Sequence, residues 1–212
     1  MLTFDFLLPK TKAVLLELSL VPGMEEYTFV GGSALSCYLH HRLSEDLNFF
    51  SWHDKATIEN ILPSLVRDEL KIINRSGQQT DMIYKGVKIT FFGNKWESLE
   101  VLRIPFIGNI QIATVELLAA MKVNTLFLRA KYRDYYDLYC LVDQKYTISG
   151  LYELSSAILP GLSKRLFQIA LTFTDDIVDD SIIHLAPAYT LTTKEIETFF
   201  TTKIKAWNKA KK

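Results

Sequence analysis

The texture of the chain changes once along its length, and that change limits the folds open to it. Between Lys71 and Ala113 short β-branched and aromatic segments alternate with glycine-containing turns, LKIINR, TDMIYKG, VKITFFG and LRIPFIGNIQIA, and read as strands. After Thr114 the apolar residues recur at helical spacing through VELLAAMKVNTLFLR, YRDYYDLYCLVDQ, LYELSSAIL, a segment near 163–173 and TKEIETFFTTKIKAWNKAK. Strands first and helices afterwards imply the α+β class. The expected organisation is a mixed-sheet half over 1–113 and a helical half over 114–212 packed against it, with no repeat or low-complexity linker between them.

The first seventy residues complete the sheet half. TKAVLLELSLV at 11–21 predicts a short helix, and EYTFVGG a strand running into a glycine turn. A helix capped by Ser33 follows, with Ala34, Leu35, Tyr38 and Leu39 on one side, then a strand in EDLNFFSW. A further helix is expected over 55–70, bent at Pro63, while Pro105 marks an edge strand or a bulge.

Composition excludes several functional classes. At 212 residues and 49% apolar content the chain buries a core without disulfide staples. Lys and Arg total 24 against 24 Asp and Glu, so the whole molecule presents no strong field to nucleic acid or anionic membrane. The last twelve residues hold five lysines and no acid, which leaves the rest at a formal −5, and this tail reads as a frayed, solvated helix end. Cys37 and Cys140 sit within apolar helical patterns, as buried reduced thiols do, and a cytoplasmic location is expected. The N-terminal stretch lacks the pattern of a secretory signal, and no window has the eighteen uncharged apolar residues of a membrane span.

The chemistry is concentrated in FVGGSALSCYLHHRLSEDLNFF, Phe29 to Phe50. Glycines leaving a strand let backbone approach a phosphate, and the following helix aims free N–H groups at it; Gly31, Gly32 and Ser33 fit that geometry. It is not a P-loop, because the lysine and the spacer are missing. On the next strand Asp46, Asn48 and Phe50 share one face. Carboxylates at i and i+2 on a strand can hold divalent metal beside a nucleoside triphosphate, but here the second is a neutral amide. Asp46 is equally readable as a solvated residue at a strand start. In the helical half, Lys122 falls on the stripe Val115, Leu118, Ala119, Leu126, so it must snorkel, pair or face a cleft. Asp134 and Asp137 lie three apart at the border of the stripe Tyr135, Leu138, Tyr139, Val142, where they could serve a cleft or pair with Arg133 and Lys131.

The glycine turn, helix and acidic strand resemble the nucleotidyltransferase fold, and the wording is similar to the AbiEii/AbiGii toxin branch of it. That branch reads Gly-Gly-(Thr/Ser)-x-Leu, a helix, then Gly-His-Arg-x-Ser-x-Asp-(Ile/Leu)-Asp-Phe. Gly31, Gly32, Ser33, Leu35, His41, Arg42, Ser44, Asp46 and Phe49 match it, and Lys122, Lys131, Arg133, Asp134, Asp137 and Leu138 match its later lysine and Arg-Asp-x-x-Asp-Leu motifs. The resemblance spans 25–143 and implies transfer of a nucleoside monophosphate from an NTP, with Mg²⁺ or Mn²⁺, to an acceptor such as tRNA, in a toxin–antitoxin or phage-defence system with a cognate antitoxin. It implies a metal at Asp46 and Asn48, nucleotide contacts from Gly31, Gly32, Ser33, Arg42, Ser44 and Lys122, and catalytic roles for Asp46, Lys122, Asp134 and Asp137. A basic surface of Lys122, Arg129, Lys131 and Arg133 would receive the RNA. Three departures stand against it: Asn48 in place of a carboxylate, His40 in place of a glycine, and a later strand, GVKITFF, with Lys88 or Thr90 where a third acid is expected. The alternative reading is a catalytically degenerate binding module of the same fold.

Overall fold

The computed structural model describes residues 2–129, 131–177 and 181–210. The chain divides into two compact units, Met1–Val115 and Glu116–Lys212, each considered by itself. The first unit is built on seven strands: β1 (Tyr27–Val30), β2 (Leu47–Ser51), β3 (Leu70–Arg75), β4 (Gln79–Tyr84), β5 (Val87–Gly93), β6 (Arg103–Ile107) and β7 (Ile110–Ala113). They form one sheet in the order β3-β4-β5-β2-β1-β7-β6. The sheet is mixed: β1 runs antiparallel to β2 and parallel to β7, and β2 runs parallel to β5. Helix α1 (Pro9–Leu18) starts on a proline, whose missing N–H is unneeded at that position. Helix α2 (Gly31–Leu39) follows β1 directly, with Val30 at its N-cap, three residues before the expected cap at Ser33.

Register explains why these strands hold together. Phe29, Phe49 and Phe91 meet across β1, β2 and β5, all three fully buried, with ring centroids 5.6 Å and 5.2 Å apart. Each aromatic pair contributes about 0.5–1.5 kcal/mol beyond area burial. At Lys85 and Gly86 φ is +50° and +75°, which makes a two-residue hairpin turn that fixes β4 against β5. Pro105 lies on the edge strand β6, next to a register shift.

Two expectations are corrected here. No α-helix forms over 55–70; the segment contains short 3₁₀ turns at Leu62–Ser64 and Arg67–Glu69. Ile58, Ile61 and Leu65 are buried at three- and four-residue spacing, which imitates a helix, but Pro63 supplies no N–H to continue one. Asp46 lies one residue before β2, so it approaches the sheet from a loop rather than from the strand ladder.

The second unit carries α3 (Val115–Thr125), α4 (Tyr132–Gln144), α5 (Ile148–Ile158), α6 (Lys164–Thr172) and α7 (Thr193–Lys209). Helix α7 packs against α4, α5 and α6 through Ile196, Phe200, Ile204 and Trp207, a stripe at i, i+4, i+8 and i+11. Its start is fixed by a capping box between Thr192 and Glu195. The lysine-rich end expected to fray is therefore helical through Lys209, anchored by buried Trp207, while Lys211 and Lys212 lie outside the described residues. Both cysteines are buried free thiols, and burial pushes Cys37 up to about 12. No helix among the described residues is long and apolar enough to cross a membrane.

Candidate active site

In the first unit the glycine turn and the loop before β2 are brought together. Gly31 has φ +80°, and a Cβ there would lie 2.9 Å from Asn48 Nδ2 and 3.3 Å from Asn48 Cβ. Glycine is required twice over, by the backbone and by the Asn48 amide lying on it. Val30, at the N-cap, gives α2 no side-chain cap, so the first-turn N–H groups at Gly31, Gly32 and Ser33 have neither a helical partner nor a side-chain oxygen from that position. Such a terminus suits an anion.

The Ser33 hydroxyl points the other way. It is 1% exposed, contacts the Asp46 carbonyl oxygen and lies 2.7 Å from Ser44 Oγ. Ser44 Oγ also accepts from Arg42 Nη1 at 3.3 Å, and the same nitrogen donates to the Leu43 carbonyl at 3.0 Å. Ser33 Oγ therefore donates toward both Ser44 Oγ and the Asp46 carbonyl, and Ser44 Oγ also accepts from the Arg42 guanidinium, so the three side chains form one buried network around the loop. Arg42 and Ser44 are 2% and 5% exposed, and with Ser33 they hold the loop that carries Asp46. The N-terminal segment completes the clamp: Ser44 N donates to Phe6 O, Leu8 N to Ser44 O, and Thr11 Oγ1 to Glu45 O at 2.7 Å. What Ser33 offers an anion is its backbone N–H.

In the second unit Lys122, Asp134 and Asp137 also come together, with Arg129 as a fourth member that the sequence reading had placed on an open surface. Lys122 Nζ lies 2.8 Å from Asp134 Oδ1 and 2.6 Å from Asp137 Oδ2. Arg129 Nε donates to Asp134 Oδ2 at 2.9 Å. Both carboxylates are 0% exposed and Lys122 is 6% exposed, so the acids expected at a helix border are interior, and two cations balance two anions there. Burial raises the pKa of Asp134, but Lys122 and Arg129 outweigh it and leave the carboxyl below its ordinary value. The expected basic surface is thereby corrected: Lys122 is buried, and Lys122 and Arg129 are both paired with carboxylate.

The chain as a whole has recognisable relatives. A family model described as the nucleotidyl transferase AbiEii toxin of a type IV toxin–antitoxin system matches residues 13–165. The chain belongs to this family. An uncharacterized protein of Aquifex aeolicus (strain VF5) is 24% identical over 186 residues, covering 86% of this chain and 88% of that protein. Among solved structures, the nucleotidyltransferase toxin MenT4 from Mycobacterium tuberculosis H37Rv has a TM-score of 0.57 at 14% identity, over 92% of this chain and 82% of that one. A candidate nucleotidyltransferase of Helicobacter pylori has a TM-score of 0.55 at 17% identity, over 95% and 97%. These likenesses establish a nucleotidyltransferase-like α+β fold.

Against the AbiEii pattern, each of the three departures acquires a location. His40 occupies the left-handed position that ends α2, φ +55°, where the family has glycine. Its ring stacks on Phe6 at 4.6 Å. Asn48 pairs with Thr90 across β2 and β5, and Thr90 pairs with Asp81 across β5 and β4. All three side chains therefore share a face, and Thr90 Oγ1 donates to Asp81 Oδ1 at 2.7 Å. An acid on that face, Asp81, stands one strand further out than β5, and the sequence reading did not single it out. Counting outward from the Lys85–Gly86 turn would have placed Asp81 opposite Thr90.

The donor chemistry bears on metal. Among the described residues no three His, Cys, Asp or Glu side chains cluster as a metal site. A two-metal carboxylate set is thus not formed by the protein alone. One carboxylate, Asp46, and one amide oxygen, Asn48, beside the glycine turn are a donor set that suits a single Mg²⁺ keeping water and substrate oxygens as its other ligands.

Proposed function

We propose that this AbiEii family member transfers a nucleoside monophosphate from an NTP to an acceptor, with RNA such as tRNA as the acceptor class and an antitoxin as its genetic partner. The observation that carries this reading is the buried hydrogen-bond network in which Ser44 accepts from Arg42 and from Ser33, and Ser33 also reaches the Asp46 carbonyl, fixing an acidic loop near the Gly31–Gly32 turn. In this reading the N–H groups of Gly31, Gly32 and Ser33 bind the triphosphate, and Asp46 with Asn48 would hold Mg²⁺ or Mn²⁺. When bound, that ion neutralises phosphate charge and lowers the pKa of an attacking hydroxyl. Arg42 and Ser44 act by positioning the loop. Asp134, with both oxygens bonded to cations, holds Lys122 and Arg129 rather than taking a proton. Lys122 and Asp137 keep the phosphate-handling and acceptor-orienting roles that family membership suggests.

A second reading is favoured by Asn48: a nucleotide-binding module without turnover. Incubation with each labelled NTP, Mg²⁺ or Mn²⁺ and total tRNA separates the two. Label transfer by the wild type that disappears in Asp46→Ala supports the enzyme and names its nucleotide. Transfer only after Asn48→Asp identifies a pocket that lost its second carboxylate, and metal-independent NTP binding with no transfer by any variant favours the binding module.

A further inference from the structure

The outer face of α6 is apolar. Leu166, Ile169 and Phe173, at i, i+3 and i+7, are 48%, 49% and 49% exposed, while Phe167, Ala170 and Leu171 turn inward. Phe127 and Leu128, from the turn after α3, are 46% and 75% exposed and line the same groove, a cavity of about 410 Å³ that also includes Asp176. Single exposed apolar residues need no explanation, but five large ones around one groove mark a docking surface.

Charge along the helix indicates what docks. Lys164 and Arg165 open α6, and Asp175 and Asp176 follow its end. The Lys164 ammonium lies over the Trp207 ring at 4.0 Å, so Arg165 is the cation that extends from this end. The strip is basic, apolar and then acidic, with Leu166 and Phe173 equidistant from the midpoint between Ile169 and Ala170. Such a pattern is complementary to its own reverse: two copies laid antiparallel set Leu166 against Phe173, Ile169 near Ile169, and Arg165 across from Asp175 and Asp176. We propose that the α6 groove is the two-fold interface of a homodimer, each copy covering the other's exposed leucine, isoleucine and phenylalanine. The apolar residues supply the affinity, and the charges set the antiparallel direction.

Sedimentation velocity on the full chain, from low micromolar to high micromolar concentration, tests this. The wild type is expected to shift from monomer to dimer as concentration rises. Ile169→Asp should be monomeric throughout with an unchanged thermal midpoint, because this side chain is half exposed in the monomer. Arg165→Glu should weaken the dimer about tenfold at low salt. Adding Asp176→Arg to the same chain should restore it, since a two-fold axis lets each chain supply both halves of the exchanged pair. A wild type that stays monomeric at every concentration assigns the groove to a different protein and overturns the proposal. A dimer indifferent to Ile169→Asp, or one that the charge exchange fails to restore, overturns it as well.

Discussion

Lys122 pairs with Asp134 and Asp137, one of the options that its place in the sequence left open. Its ammonium compensates two carboxylates that have no access to water. Lys122→Met is therefore expected to cost about 3–5 kcal/mol of stability in urea unfolding, in addition to any loss of activity. Arg129→Gln, at a half-exposed side chain, should cost about 1 kcal/mol or less. The pH dependence has a defined sign. Asp134 has a folded-state pKa below its ordinary value of 3.8, so its contribution is fully present above that value and is lost as pH falls through the lower, folded one. Acid titration of stability should show this loss below about pH 4, and Lys122→Met should make the slope there shallower. At Gly31 two effects are superposed. Gly31→Ala meets both the positive φ and the Asn48 amide, and should cost about 1–2 kcal/mol in thermal unfolding. In an Asn48→Ala background the contacts with the amide are gone, while the backbone part of that cost and the 3.3 Å contact with the Cβ at position 48 should remain, and a double-mutant cycle reads the amide's share directly.

At the scale of elements, the sequence revealed strands and helices where period and punctuation agree, and misled where they diverge. The β3–β4–β5 meander is legible because Gly77 and the Lys85–Gly86 pair bracket runs of β-branched residues. The segment over 55–70 was misread because its buried isoleucines have helical spacing without helical hydrogen bonds. The glycine turn and acidic loop were legible as a motif, but the clamp from Phe6, Leu8 and Thr11 was not, since nothing in those residues announces a partner more than thirty positions away. The burial of Asp134 and Asp137 was equally hidden: pairing that makes a buried charge tolerable depends on which helix faces which. The end of α2 permits a direct test. His40→Gly removes the left-handed strain and also the stack on Phe6, so the two changes should nearly cancel. His40→Ala keeps the strain, loses the stack, and should unfold about 1 kcal/mol more easily than the glycine variant.

For the whole molecule, equal numbers of cations and anions mean that any attraction for RNA must be local and weak at a distance, so association should depend only modestly on salt. Nucleotide is a better reporter. A ligand that binds only the folded chain stabilises it by about 2.7 kcal/mol at a hundred times its dissociation constant. NTP with Mg²⁺ should therefore raise the thermal midpoint of the wild type and leave Asp46→Ala nearly unmoved; equal shifts in both would place the nucleotide elsewhere. The two cysteines have a practical corollary for all such measurements. Because Cys37 and Cys140 are shut away from solvent, maleimide dyes added to the native protein should find no thiol to alkylate. A cysteine introduced on the surface can then be labelled alone, with no need to strip out the native pair, and the chain comes ready for fluorescence work.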